Sequence, residues 1–271
     1  MHSTGRGAGF RWTLRSRAHC DGVAPMSFED LHAVLARGYG DRPDPADRDR
    51  VLAMPMVLHL PKIDPPARSA VLAAAAQSVL GVCFDPRVDV DAESGEPGPW
   101  RANYLAWTSA RIRKVARRAR GAQWLAAQDV PGVTVDVDGA LARAFVPGPV
   151  GELDPRIRKL QIGGTELEHD EPGPPDPELP VLWVDSRLDM TVGKAAAQVG
   201  HAAMILAGAM SAPDALAWAE RGFACSVRDA DAQQWEAVRA RMNSGEAVGV
   251  RDAGFTEVAP GSTTVIATPR P

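Results

Sequence analysis

The last third of the chain alternates short apolar runs with longer stretches of helical period. VLWVD (residues 181–185) is four apolar residues closed by an acid, the length of a buried strand. From about Thr191 to Met210 small and apolar residues recur at helical spacing. FACSVRD (223–229) alternates at period two. Asp231 caps a helix running to about Met242, AVGVRD (247–252) reads as a third strand, and the β-branched TTVIATP (263–269) as a fourth. The order βαβαββ predicts an α/β fold: a small mixed β-sheet, at least partly parallel, flanked by helices in the C-terminal domain.

The same patterns occur earlier in the chain. Residues 56–81 set a strand, a loop and an alanine-rich helix containing Gln77, as residues 181–208 do with Gln198. GAQWLAAQ (121–128) parallels DAQQWEAVR (231–239). Residues 133–149 parallel 247–262, with Asp138 against Asp252 and Pro147-Gly148 against Pro260-Gly261. The C-terminal domain is thus expected to be preceded by a degenerate α/β copy of the same fold. Ala73 stands where Lys194 does, and Leu80 where His201 does.

Residues 169–180, HDEPGPPDPELP, hold five prolines, which forbid a helix and favour a stiff extended linker. The expected division is a disordered or helical N-terminal extension (1–53), the degenerate domain (54–168), the linker (169–180) and the C-terminal domain (181–271). Residues 1–25 are Arg- and Gly-rich without the apolar region of a secretory signal, so Met26 reads as a natural start. Ser27, with Asp30 three residues on, predicts a capped helix over about 27–37. The apolar stretches near 70–83 and 195–210 read as shorter than the ~20 residues of a membrane span.

Composition changes this picture little. Of 271 residues, 45% are hydrophobic and 24% charged, so a sizeable core is expected. A net charge of −4 gives no overall attraction to nucleic acid, so any such contact needs a local patch. The three cysteines, Cys20, Cys83 and Cys225, have no metal-binding or redox spacing and suit a reducing, cytoplasmic compartment.

Lys194, Gln198 and His201 stand at i, i+4 and i+7, one polar stripe on a helix otherwise built of alanine, glycine and small apolar residues. A lysine in the first turns of a helix faces an end that is already positive, which costs about 0.3–1 kcal/mol unless an anion sits there. Taken alone, a solvated lysine and a packed histidine explain the stripe. The second motif, near the C-terminus, is RDAGFTEVAPGS (251–262).

Together, LDMTVGKAAAQVGHA and RDAGFTEVAPGS resemble the archaeal and eukaryotic type of peptidyl-tRNA hydrolase, the second family of that activity, over residues 179–268. The matching positions are Leu188, Met190, Gly193, Lys194, Ala196, Ala197, Gln198, His201 and Ala202, then Arg251, Asp252, Ala253, Gly254, Thr256, Pro260, Gly261 and Ser262. One departure stands just upstream: the family's Arg-x-Asp is here Asp185, Ser186 and Arg187, with the charges exchanged. The resemblance implies hydrolysis of the ester joining peptide to the terminal ribose of tRNA that has dropped off the ribosome. It implies no cofactor or metal, and the acceptor end of tRNA as partner.

Ester hydrolysis needs a base for water and donors for the developing oxyanion. Asp252 and His201 are candidate base and orienting partner, in either order. Lys194 is a candidate donor to the oxyanion or a phosphate, and Gln198 and Thr256 candidates for fixing the carbonyl or the water. The run RIRKVARRAR (111–120) carries Arg111, Arg113, Lys114, Arg117, Arg118 and Arg120 with no acid. It reads as a strand or short helix whose charged face either is merely solvated or binds tRNA phosphates, extended by Arg156, Arg158 and Lys159. The expected assembly is a monomeric pseudo-dimer of two similar halves. Two other readings compete: a non-catalytic tRNA- or protein-binding module that kept the fold, and an esterase for another acyl substrate.

Overall fold

Two sheets of the same strand order face each other across a pair of alanine-rich helices. The computed structural model describes residues 27–40, 42–89, 96–252 and 257–271. In chain order the elements are α1 (Phe28–Ala36), β1 (Leu52–His59), α2 (Arg68–Cys83), α3 (Arg101–Thr108), β2 (Arg113–Ala119), α4 (Ala122–Gln128), β3 (Gly132–Val137), β4 (Ala140–Phe145), β5 (Gly148–Pro149) and α5 (Pro155–Arg158). There follow β6 (Val181–Asp185), α6 (Val192–Ala209), α7 (Ala212–Glu220), β7 (Ser226–Ala230), α8 (Ala232–Asn243), β8 (Val248–Arg251) and β9 (Thr263–Thr268).

The first sheet runs β2-β1-β4-β3, with the two-residue β5 also paired to β1; the second runs β7-β6-β9-β8. In each, the two strands flanking the first crossover helix are parallel and the other pairings antiparallel. The fold is therefore mixed α/β, as the periodicity predicts. The outer face of the first sheet is covered by α4, whose Trp124 packs with Val57, Ala119 and Phe145. The outer face of the second is covered by α8, whose Trp235 packs with Ala230, Ala247 and Ile266.

Between the sheets lie α2 and α6. Their buried alanines, Ala73 to Ala76 on one and Ala195, Ala196, Ala202 and Ala203 on the other, let the backbones approach closely. A Cβ added at Gly200 would come 2.9 Å from Val79 Cγ2, so glycine is required where the helices touch. Each helix also reaches the other sheet, α2 touching β7 and α6 touching β2. The segment Arg68–Val88 is, by length and composition, long and apolar enough to cross a membrane, beyond what the shorter apolar run suggested; it is 72% buried between the layers.

Two features differ from expectation. Pro147-Gly148 follows β4, whereas Pro260-Gly261 precedes β9, so these turns do not correspond. The segments that do correspond are the connections after β3 and β8. Asp138 and Gly139, at φ 51° and 83°, form the tight two-residue hairpin that right-twisted strands favour. In the second sheet the same place holds an eleven-residue loop, 252–262. Secondly, α1 is an integral element. Ser27 and Asp30 form the expected capping box, and the helix packs on α6 and α7; α7 itself was not foreseen.

Residues 165–170 strap the two central helices at their N-termini. Thr165, fully buried, accepts through Oγ1 from the Gly193 backbone N–H at 3.0 Å. Asp170 accepts from the Ser69 N–H at 2.8 Å and from its hydroxyl at 2.5 Å. Arg68, 3% exposed, donates to both oxygens of Asp229 on β7 at 2.9 and 3.0 Å. His169 Nδ1 lies 2.7 Å from the same carboxylate.

Candidate active site

The polar stripe of α6 meets the end of β8. Thr191 caps the helix, its Oγ1 accepting from the Lys194 N–H at 3.2 Å. Lys194 Nζ donates to Asp252 Oδ2 at 2.6 Å, and Gln198 Nε2 donates to the same oxygen at 2.7 Å. Both charged side chains are 9% exposed. Asp252 is thus the anion that a lysine near a helix N-terminus calls for.

The oxygen of the Gln198 amide is occupied as well: the buried Thr264 hydroxyl, on β9, donates to Gln198 Oε1 at 2.7 Å. An amide whose oxygen accepts from a hydroxyl must present its NH2 to Asp252, so donation runs from Thr264 through Gln198 to Asp252, where it meets donation from Lys194. Thr264 carries no signal in the sequence beyond a β-branched strand residue.

The loop 252–262 is closed at its neck, where the Asp252 N–H donates to the Ser262 carbonyl at 2.9 Å and the Gly261 N–H to the Asp252 carbonyl at 2.7 Å. Glu257, at φ 61°, ties the loop to α6: its carboxylate accepts from the Thr191 N–H at 2.9 Å and the Thr191 hydroxyl at 3.1 Å. Sequence reasoning missed Glu257 too, because an exposed glutamate in a loop has no distinguishing pattern. Thr256 lies outside the described residues, as do Ala253, Gly254 and Cys20.

His201 occupies the far end of the stripe and turns toward the first half. Its Nε2 is enclosed without a hydrogen-bond partner. Burial holds the imidazole well below its ordinary pKa; the Lys114 ammonium and, less strongly, Lys194 push the same way, against the Ile112 carbonyl. The structure therefore brings Lys194, Gln198 and Asp252 together and places His201 beside them, against β2.

Asp185 and Arg187, the exchanged pair, form a bidentate contact, Nε to Oδ1 and Nη2 to Oδ2, both at 2.8 Å. The ion pair survives the exchange of order. Asp85 with Arg87 and Asp154 with Arg156 repeat the same Asp-x-Arg geometry.

The basic run forms β2, an edge strand. Arg113 makes a bidentate pair with Asp44 at 2.6 and 2.7 Å, holding that carboxyl below its usual range, and Arg111 approaches the same carboxylate at 3.8 Å. Arg118 donates to the Gly163 carbonyl at 3.0 Å and to the Gln161 side chain. Arg117 Nε and Lys114 Nζ are enclosed. Arg120 is half-buried, Arg158 at the end of α5 and Lys159 just after it are exposed, and Arg156 is paired with Asp154.

A cleft of about 440 Å³ opens beside the α6 N-terminus, lined by Thr191, Val192, Glu257, Asp189, Arg68 and His169. Its size falls in the range of small-molecule sites. Among the described residues no group of three or more His, Cys, Asp or Glu side chains is placed to hold a metal ion.

Lys194, Gln198 and Asp252 are not among the residues that line this cleft; they converge where α6 meets the end of β8. A lysine, a glutamine and an aspartate so placed on an α/β sheet are a site suited to hydrolysis. Residues 180–271, from β6 to the end of the chain, match the family model described as peptidyl-tRNA hydrolase PTH2. The match spans both motifs and agrees with the resemblance drawn from them. No curated protein and no solved structure matches the chain.

Proposed function

We propose that this protein hydrolyses the ester bond of peptidyl-tRNA, releasing tRNA and peptide. The observation that carries the reading is the convergence of Lys194 and Gln198 on Asp252 within the segment that matches the hydrolase family. Asp252 takes a proton from water as the water oxygen bonds to the ester carbon. The carbonyl oxygen becomes an oxyanion, which the Lys194 ammonium stabilises. The bond to the ribose oxygen then breaks, and that oxygen receives the proton back from Asp252. Gln198 holds the carboxylate in line, and Thr256 is assigned to the substrate carbonyl or the water. His201, which contacts the Ile112 backbone, is assigned an orienting role and Asp252 the role of base.

The matched strand order of the two sheets supports reading residues 54–168 as a degenerate copy that pairs with 181–271 as one half of a pseudo-dimer. The tight Asp138-Gly139 hairpin in place of the 252–262 loop accounts for the copy's lack of a site. Arg113, Arg117 and Arg118 on the edge strand and Arg111 and Arg120 flanking it are assigned to tRNA phosphates; Lys114, with its ammonium enclosed, is not.

The experiment is release of peptide from N-blocked aminoacyl-tRNA by the wild type, Lys194→Ala and Asp252→Asn. Hydrolysis by the wild type with loss in both folded variants is expected. No hydrolysis by the wild type, or full activity in both variants, would overturn the reading.

A further inference from the structure

Among the described residues, Lys114 has an ammonium that is enclosed without a hydrogen-bond partner. It lies on β2, in the half without the hydrolytic motif, and its side chain turns inward across α6. A Cβ at Gly200, next to His201, would meet Lys114 Cδ at 3.3 Å and Cε at 3.4 Å. Its Nζ has no hydrogen-bond partner and stands 5.1 Å from the Trp107 ring centroid. Proteins seldom tolerate an enclosed ammonium without an acceptor, because desolvation is then uncompensated.

The groups around it supply no anion. From α2 comes the Cys83 thiol, pushed up to about 12 by burial, and from α3 the Tyr104 hydroxyl, also pushed up by burial; both stay neutral. From α6 come His201, whose Nε2 is likewise enclosed and unpartnered, and Lys194 farther along the helix. Lys114 thus lies against α6 at Gly200, next to His201 in the chain, and both nitrogens are enclosed where a second positive charge is disfavoured.

We propose that Lys114 is a positioning residue for the hydrolytic site, supplied by the half that lacks the site, and that its ammonium holds the His201 imidazole uncharged across the seam. An imidazolium one turn beyond Gln198 would be a second cation drawing on Asp252, the carboxylate that Lys194 and Gln198 hold. Keeping His201 neutral reserves Asp252 for them. This role rests on the hydrolase reading for its purpose, but its electrostatic core does not. Burial alone brings Lys114 down to about 7, with the Cys83 thiol the one opposing influence. The pair therefore carries at most one proton near neutrality.

The test is proton NMR titration of the His201 ring, assigned with His201→Gln, in the full chain as wild type, Lys114→Met and Lys114→Arg. Removing the neighbouring charge is expected to raise the His201 midpoint by about one pH unit or more. Arginine, which keeps the charge, is expected to leave it low. In hydrolysis of N-blocked aminoacyl-tRNA, Lys114→Met should move the acid limb to higher pH by the same interval as the His201 midpoint, with little change at about pH 8. An unmoved His201 midpoint in Lys114→Met overturns the proposal whether or not the protein hydrolyses peptidyl-tRNA. A moved midpoint with an unmoved pH profile of hydrolysis overturns the positioning role. A wild type without hydrolysis counts against the hydrolase reading and leaves the NMR result to decide the electrostatic claim.

Discussion

The hydroxyl of Thr264 and the amide oxygen of Gln198 meet at 2.7 Å between the second sheet and α6, and this contact fixes which end of the amide Asp252 sees. Replacing Thr264 by valine keeps the shape and removes the donor. The Gln198 oxygen is then buried without a partner, which destabilises by about 1–3 kcal/mol. The amide becomes free to turn its oxygen toward the Asp252 carboxylate. Hydrolysis is expected to fall about tenfold, equivalent to ~1.4 kcal/mol in the barrier. A valine variant with wild-type kcat would show that the amide needs no orienting.

The Lys194–Asp252 pair separates stability from activity. Both side chains are 9% exposed, so removing one leaves its partner buried and uncompensated. Lys194→Ala or Asp252→Ala is expected to lower unfolding free energy by about 3 kcal/mol. Replacing both, Lys194→Met with Asp252→Leu, removes two desolvated charges together and should recover most of that loss in urea denaturation, with hydrolysis still down at least ~10²-fold. Recovery of hydrolysis along with stability would assign the pair to folding alone.

Much of this arrangement was legible in the sequence, for identifiable reasons. Helical spacing places Lys194, Gln198 and His201 on one stripe, which depends on local periodicity, and the RDAG motif supplies Asp252 through the family resemblance. The order of strands and helices followed from the same patterns, and the equivalence of Trp124 with Trp235 holds because each covers the outer face of its sheet. What escaped was set by contacts distant in the chain. Thr264 gains its role only when β9 lies beside α6, and Glu257 only when its loop folds back on Thr191. Lys114 sits in a strongly basic run, yet strand pleating and the nearness of Gly200 turn it inward. The mismatch at Pro147-Gly148 arose because a proline-glycine turn looks alike before or after a strand.

Glu257 bridges the loop and the helix, so its removal should act on order more than on overall stability. Its carboxylate accepts from the Thr191 N–H and hydroxyl. Glu257→Ala loses a cap-like contact worth ~0.5–2 kcal/mol locally. Amide hydrogen exchange at Asp252 and Ser262 is expected to quicken, and kcat to fall several-fold, while the urea midpoint moves little. Unchanged exchange and unchanged kcat together would show that the loop holds its place without this tie.

Lys114 also leaves a signature in stability against pH. Its folded pKa of about 7 lies below the ordinary lysine value of 10.5. Between these values the unfolded chain binds the proton and the folded chain does not, so unfolding free energy rises with pH across the window from about 7 to 10.5. Below pH 7 both states bind it and the destabilisation is at its full extent. Lys114→Met is expected to be more stable than the wild type at pH 6 and to lose the upward slope between pH 7 and 10, as followed by urea unfolding at a series of pH values. Parallel pH dependence in the two proteins would show that Lys114 reaches solvent.

The basic edge strand yields the last expectation. Arg113 is tied to Asp44, and Arg118 to the Gly163 carbonyl and Gln161, so part of the strand's charge is engaged before any tRNA arrives. A phosphate backbone competes with Asp44 for Arg113, and each phosphate contact made contributes about 0.9 to the slope of log affinity against log salt, less for single strands. Changing Arg113, Arg117 and Arg118 together to glutamate reverses three charges on one edge. Binding of deacylated tRNA is expected to weaken at least ~10-fold at low salt, with the salt slope reduced by about 1 to 2. Hydrolysis of a saturating substrate should persist, because Lys194 and Asp252 are untouched. Equal affinity and equal slope for the wild type and the triple variant would assign β2 to packing, and would place the tRNA surface on the exposed Arg158 and Lys159 or elsewhere.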